Sequence, residues 1–279
     1  MTTEELELAR ISSWTMISSQ VGYQNKIFFR TPIAAFFTLI FPVLLLVIFA
    51  ALFGSEEIEE LGVTVAQYYA PALGVFAAAS ATYTNIGVNT AYQRELGILK
   101  RVHGTPLPPW IFFTGKVISA TLIAAIAVTV MLALGVVAYG ITIYPRTLPA
   151  AIVTFLVGTA CFAGLGLLVA AVASSGGAAT AIANATLLPL AFFSGLFIPF
   201  TDDTPAWMVT LGNIFPLKHF NEAFQKAFLP GTTGAQFDWP ALAIMTAWGL
   251  AALLLAVRLF KWESGQPSRE RVREKTASG

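Results

Sequence analysis

The chain has 279 residues, is 56% hydrophobic and carries charge at only 11% of its positions, with a mean hydropathy of +0.73. A soluble domain has roughly 25% charged residues, so a water-soluble globular protein is excluded and the class is membrane. The net charge of +1 offers no field for a nucleic acid, and no nucleic-acid partner is expected.

In chain order, residues 4–26 place Leu8, Ile11, Trp14, Ile17 and Val21 at helical steps, with Phe28 two turns on. Glu5, Ser12, Ser19 and Gln24 fall on other faces. This predicts an amphipathic lead-in helix within residues 1–30, lying along the cytoplasmic membrane surface with Trp14 at headgroup depth. The acidic opening lacks the basic-then-apolar pattern of a signal peptide, so the first long apolar run is expected to stay as a span.

Charge-free intervals then cover 31–55, 61–93, 117–145, 147–201 and 239–257. A span needs about 20 apolar residues. The 147–201 interval holds two, divided at the turn-like Ser174-Ser175-Gly176-Gly177. A re-entrant pair there would require a protein-lined cavity for its backbone. The expected fold is an all-α integral membrane protein with six transmembrane helices near 32–53, 67–91, 117–140, 149–173, 178–200 and 239–260.

Thirteen of the sixteen Lys and Arg fall on one side of that arrangement, leaving only Arg146, Lys218 and Lys226 on the other. The positive-inside rule therefore places both termini in the cytoplasm. Glu56, Glu57, Glu59 and Glu60 lie outside.

Three segments project from this six-helix domain, 31–262. In the cytoplasmic loop 92–116, a helix over 92–102 would set Leu96, Leu99 and Val102 on one side before Gly104, Pro106, Pro108 and Pro109 end it. The outer segment 201–236 suggests two short helices, 206–214 and 217–228, divided at Pro216. The tail 263–279 is charged, and its basic residues suit anionic lipid.

No G-x-x-x-x-G-K-[ST] loop is present. His103 and His219 are expected on opposite sides and cannot share a metal. Adjacent Asp202 and Asp203 do not converge as an acid/base pair. Cys161 lies in an apolar run as a packing residue. No catalytic, cofactor-binding or metal residue is therefore expected. The spans lack the mid-membrane ionisable group that an ion-coupled carrier requires, which sets the secondary-carrier reading behind. Thr82, Asn85, Asn89 and Gln93 form a polar stripe on the second span, and Asn184 adds an amide to the fifth. Such groups meet protein or water, either along a substrate path or as helix-to-helix hydrogen bonds. Gly158, Gly164 and Gly166 favour close helix contact.

Arg30-Thr31-Pro32 opening a span that contains Pro42 resembles the type 2 permeases of ATP-binding-cassette (ABC) exporters. So does Arg94-Glu95-Leu96-Gly97-Ile98-Leu99-Lys100-Arg101, followed by Gly104-Thr105-Pro106-Leu107 and Gly115-Lys116. The stretch Phe193-Ser194-Gly195-Leu196-Phe197-Ile198-Pro199, with Thr204-Pro205-Ala206-Trp207 and Phe215-Pro216-Leu217, resembles them also. The overall look is similar to actinobacterial antibiotic and drug efflux permeases, and polysaccharide and lipid exporters share the fold. The resemblance implies a non-catalytic permease working with a separate ABC ATPase that holds ATP and Mg, and with a second permease copy, identical or related. It implies a coupling helix at Arg94, Glu95, Leu96, Gly97, Leu99, Lys100 and Arg101. A substrate would then pass outward between permeases through the inner (plasma) membrane, with Thr82, Asn85, Asn89 and Asn184 as candidate lining. A membrane scaffold without transport would need no such helix.

Overall fold

The computed structural model describes residues 12–53, 56–58, 62–231 and 234–262. Among them helix dominates, and the one β feature is a two-residue antiparallel pair, Glu57–Ile58 with Val63–Thr64. Leu8, Ile11, Glu59, Glu60 and the 263–279 tail lie outside the described residues.

Helix α1 (Ser13–Phe29) starts where the Ser12 hydroxyl accepts the Trp14 N–H. It buries Ile17, Gln24 and Phe28 and leaves Trp14 73% exposed. Gln24, expected on an open face, is thus on the buried one. The neighbouring helix α2 explains this, because a Cβ at its Gly115 would stand 2.5 Å from the Gln20 Cβ. The missing side chain lets the Gln20–Gln24 edge of α1 press inward. Helix α2 is Pro109–Tyr139, beginning eight residues before the expected 117. Prolines at the start of a helix cost nothing, since the first N–H groups have no partner. Pro108 and Pro109, read as terminators, initiate.

The first span comprises helix α3 (Pro32–Ala35), a wide π turn over Phe36–Ile40, and helix α4 (Phe41–Phe53). Pro42 lacks an N–H and its ring clashes with the carbonyl four residues back, and the π turn absorbs that conflict. The second span follows the same plan, with α5 (Val65–Ala79), a π turn over Ser80–Thr84, and α6 (Asn85–Glu95). This continuous rod, on the order of 45 Å long at 1.5 Å per residue, is the axis of the bundle. Helices α4, α2, α7 (Leu148–Val172) and α8 (Gly176–Phe192) pack around it, and α5 is buried almost throughout.

Helix α7 also packs along α9 (Trp239–Leu259). The contact is close because it is made of small residues. A Cβ at Gly164 would lie 2.9 Å from the Gly249 carbonyl, and one at Gly166 would lie 2.7 Å from the Tyr83 carbonyl beside the second π turn. Gly158 likewise makes room for the Phe220 ring.

The helical stretches Phe36–Phe53, Pro109–Tyr139, Leu148–Val172 and Trp239–Leu259 are long and apolar enough to cross a membrane. The protein is an all-α, multi-pass membrane protein. Helix α8 is apolar but shorter, ending at Phe192 rather than near 200. The chain turns there, with Gly195 in the left-handed region at φ +70°. The segment beyond it forms α10 (Ala206–Ile214), α11 (Pro216–Gln225) and a 3-10 turn over Lys226–Phe228.

Each end of the bundle has its own fastenings. At one end Phe113 of α2 packs on Phe260 and Trp262 beyond α9, and His103 packs on Trp262. At the other, Gln67 Nε2 donates to the carbonyls of Thr142 (3.0 Å) and Phe228 (2.7 Å) and its Oε1 accepts the Thr142 N–H (2.8 Å). Tyr69 donates to the Phe197 carbonyl at 2.9 Å, and Thr147 to that of Ala227 at 2.6 Å.

Candidate functional site

The corner after the second span gathers most of the residues singled out by sequence. Helix α6 stops at Glu95, and a short helix α12 (Ile98–His103) follows. A single helix over 92–102 was expected. Gly97 breaks it, because its φ of +70° suits glycine and no continuing α-helix. The break also separates the expected stripe: Leu99 is fully buried, whereas Leu96 is 65% exposed.

Arg94 is buried, and its guanidinium donates to two carbonyls at the end of α7: Nη1 to Ala170 at 2.8 Å, and Nη2 to Ala173. The next residue does the converse. The Gly176 N–H, at the first position of α8, donates to Glu95 Oε2 at 2.8 Å. A cation thus meets the negative end of one helix and a carboxylate the positive end of the next, each electrostatically favourable by about 0.3–1 kcal/mol. These are charge-assisted hydrogen bonds, stronger than neutral ones. Ser175 completes the turn by accepting the Ala178 N–H at 3.1 Å. Gly176 is required sterically, since a Cβ would come 2.2 Å from the Tyr92 ring. Arg94 and Glu95 together clamp the turn between α7 and α8 to the end of α6. From this clamp α12 projects, with Lys100 and Arg101 on its exposed side and exposed Leu96 just before it.

Lys116 was read as a loop residue at the edge of a span. It lies about two turns inside α2, 4% exposed, with Nζ donating to Thr90 Oγ1 of α6 at 2.7 Å and lying 5.4 Å from the centre of the Phe112 ring. One turn further, Ser119 donates to Asn25 Oδ1 of α1 at 2.6 Å. Gln20 Oε1, Gln24 Nε2 and Gln93 Oε1 are buried without hydrogen-bond partners. The polar layer joining α1, α2 and α6 was missed by sequence reasoning. Its available signal was the polar spacing Lys116–Ser119 and Thr90–Gln93, each one helical turn.

The polar stripe resolves into separate parts. Thr82 is fully buried and donates to the Ala78 carbonyl within its own helix at 2.8 Å. Asn89 Nδ2 donates to Asn85 Oδ1, and both side chains are half-buried. Asn184 is exposed on α8, which is tied to the second span by Tyr83 and Thr186 hydroxyls 2.6 Å apart. Among the described residues no group of three or more His, Cys, Asp or Glu could hold a metal ion.

Residues 17–229, from within α1 to just past the 3-10 turn after α11 and so short of α9, match the family described as ABC-2 type transporter. The chain belongs to the ABC-2 type transporter family. Permeases of the ABC-2 type are non-catalytic transmembrane subunits. This ABC-2 chain is 29% identical over 184 residues to Probable multidrug ABC transporter permease YbhR of Escherichia coli (strain K12), covering 62% of this chain and 49% of that protein. The same figures hold for YbhR of Escherichia coli O157:H7. It is 24% identical over 189 residues to YvfS of Bacillus subtilis (strain 168), which bears the name of a transport permease, covering 68% of this chain and 75% of that one. The ABC-2 chain thus spans about half the length of YbhR.

Proposed function

We propose that this chain is the membrane permease of an ABC exporter, with six spans and both termini in the cytoplasm of the inner (plasma) membrane. It works with a separate ABC ATPase and a second permease copy, and moves an amphiphilic, drug-like substrate outward. The observation that carries the reading is the Arg94–Glu95 clamp. It ties the end of α6 to the end of α7 and the start of α8, and α12 leaves that junction two residues later, so force applied to α12 would be delivered where three helices meet. Family membership supports the ATPase, and the multidrug name borne by YbhR supports the substrate class. The half-buried Asn85–Asn89 pair and exposed Asn184 support a second copy, because amides on a lipid-facing surface gain from meeting protein.

The test is copurification of the tagged chain from its own cells, after gentle extraction, with quantification of ATPase in the complex. A stoichiometric ATPase is expected with the native chain. Leu96→Asp with Arg101→Glu alters only exposed positions of the corner and should release the ATPase with little change in melting temperature. Substrate movement by the purified chain alone under an ion gradient would instead establish a secondary carrier.

A further inference from the structure

Helix α1 turns Ile17, Gln24 and Phe28 toward the bundle. On the opposite side of the helix stand Lys26 and Arg30, both exposed. They are one turn apart, which sets their Cβ atoms about 5–6 Å from each other. Tyr23, 46% exposed, precedes them on the same stripe. Like charges at that spacing disfavour a helix, so the pair opposes folding of α1 unless an anion comes between them.

Two ordinary explanations fall short. Cations favour the carbonyl end of a helix, but other groups bond the last carbonyls of α1. The Thr31 hydroxyl donates to Ile27 at 2.9 Å, the Thr31 N–H to Phe28 at 3.0 Å and the Arg30 N–H to Lys26 at 3.2 Å. Nor is a counter-ion supplied from within. Among the described residues neither the Lys26 nor the Arg30 side chain has a hydrogen-bond or ion-pair partner. At the end of the bundle that carries α12, the one described carboxylate is Glu95, which accepts the Gly176 N–H.

The surroundings indicate which anion fits. Arg30 closes α1, and Pro32 opens the first span two residues later. The two cations are therefore at the foot of a span, with Phe29 56% and Ile33 71% exposed beside them. Charge next to open apolar surface matches an amphiphile whose phosphate meets the cations and whose chains lie along the span. A free phosphate would leave the apolar residues unused.

We propose that Lys26 and Arg30, with the Tyr23 hydroxyl, hold the phosphate of an anionic phospholipid at the foot of the first span. Anionic headgroups attract basic side chains beside membrane-spanning helices, and here the lipid also relieves the repulsion between the two cations. The inference requires only that the chain lies in a membrane and does not rest on the transport reading.

The experiment uses the whole chain, delipidated in neutral detergent and titrated with phosphatidylglycerol or phosphatidylcholine of the same acyl chains, with bound lipid counted by native mass spectrometry. The first phosphatidylglycerol should bind about tenfold more tightly than phosphatidylcholine, the scale of two cations near an anionic surface. Lys26→Gln with Arg30→Gln should remove that preference. Arg258→Gln with Lys261→Gln removes the same charge from exposed positions elsewhere at this end and should leave it intact. Equal retention of the two lipids would overturn the proposal. Equal loss in both double variants would overturn it also, since the charge of the whole end rather than a site would then be responsible. Displacement of the lipid by inorganic phosphate at the same concentration would show that the chains contribute nothing and overturn the lipid assignment. Should the first double variant not fold, Arg30→Gln alone carries the test, with a reduced preference expected and an unchanged one overturning the site.

Discussion

The two ends of the bundle are fastened by different chemistry. At the α12 end, charged groups are drawn inside. Arg94 spans two carbonyls at the end of α7, and Lys116 is enclosed between α2 and α6. At the α11 end most interior fastenings are neutral side chains on backbone carbonyls, Gln67, Tyr69, Thr147 and Asn221, while the buried Lys218 donates to Asn213 Oδ1 at 2.7 Å and has Glu222 as a carboxylate partner at 3.5 Å. The ion pair Lys226–Asp238 stays at the exposed rim. A buried charge is costly unless fully hydrogen-bonded, whereas an exposed pair is worth little. The α12 end therefore has the larger energies at stake and a sharper response to change.

Arg94→Met should break that comparison most clearly. It removes two charge-assisted bonds and leaves the end of α7 uncapped, a loss of about 3 kcal/mol. Thermal unfolding of the purified chain in mild detergent would show it. A loss of under about 1 kcal/mol would mean that water caps α7 as well as Arg94 does. Gln67→Leu is the counterpart at the α11 end. It removes three neutral bonds joining α5 to the loop at Thr142 and to Phe228. Because that amide is only part-buried, the expected loss is smaller, about 2 kcal/mol, in the same measurement.

Much of the bundle was legible because charge and apolar length act locally and are visible one residue at a time. The Thr147–Thr201 interval divides near Ser174–Ser175, and Ala206–Ile214 forms a helix where the sequence suggested one. Helix starts were legible only where proline was read for its position. Pro109 opens α2, and nothing local distinguishes that use from its use as a terminator. The corner site was half legible. Arg94-Glu95 stood out as a motif, but their partners, Ala170, Ala173 and Gly176, lie more than seventy positions along the chain. Only packing of α6 on α7 and α8 brings them together. Lys116 was misread because a lone lysine at the edge of an apolar run ordinarily marks the water boundary. Its partner, Thr90, carries no charge that could have signalled the pairing.

Lys116 allows a finer distinction within the α12 end. Its ammonium is enclosed with one hydroxyl partner and the Phe112 ring, and no carboxylate is bonded to it in the described structure. Replacing buried charge by an apolar side chain of similar shape is often neutral or stabilising. Lys116→Met should therefore leave unfolding unchanged or raise stability by about 1 kcal/mol, the opposite sign to Arg94→Met. Destabilisation of the size expected for Arg94→Met would show that the lysine is held by more than the Thr90 bond. Unchanged folding with lost substrate export would assign Lys116 to working movement rather than to stability.

The smallest effect belongs to the exposed rim. Burial pushes the Asp238 carboxyl upward, but the bond and charge of Lys226 and the Ala241 N–H outweigh it and hold the group below its ordinary value. A carboxyl lowered on folding adds stability that is present above its unfolded value. That contribution is lost as pH falls through the folded one. Unfolding midpoints measured from neutral pH down to about pH 3 should therefore fall slightly less for Asp238→Asn than for the native chain. The two should differ most at neutral pH and converge in acid. An unchanged difference across that range would show that Asp238 acts only through its neutral geometry, as the cap that receives the Ala241 N–H at 3.1 Å. The Lys226 pair would then contribute nothing to stability.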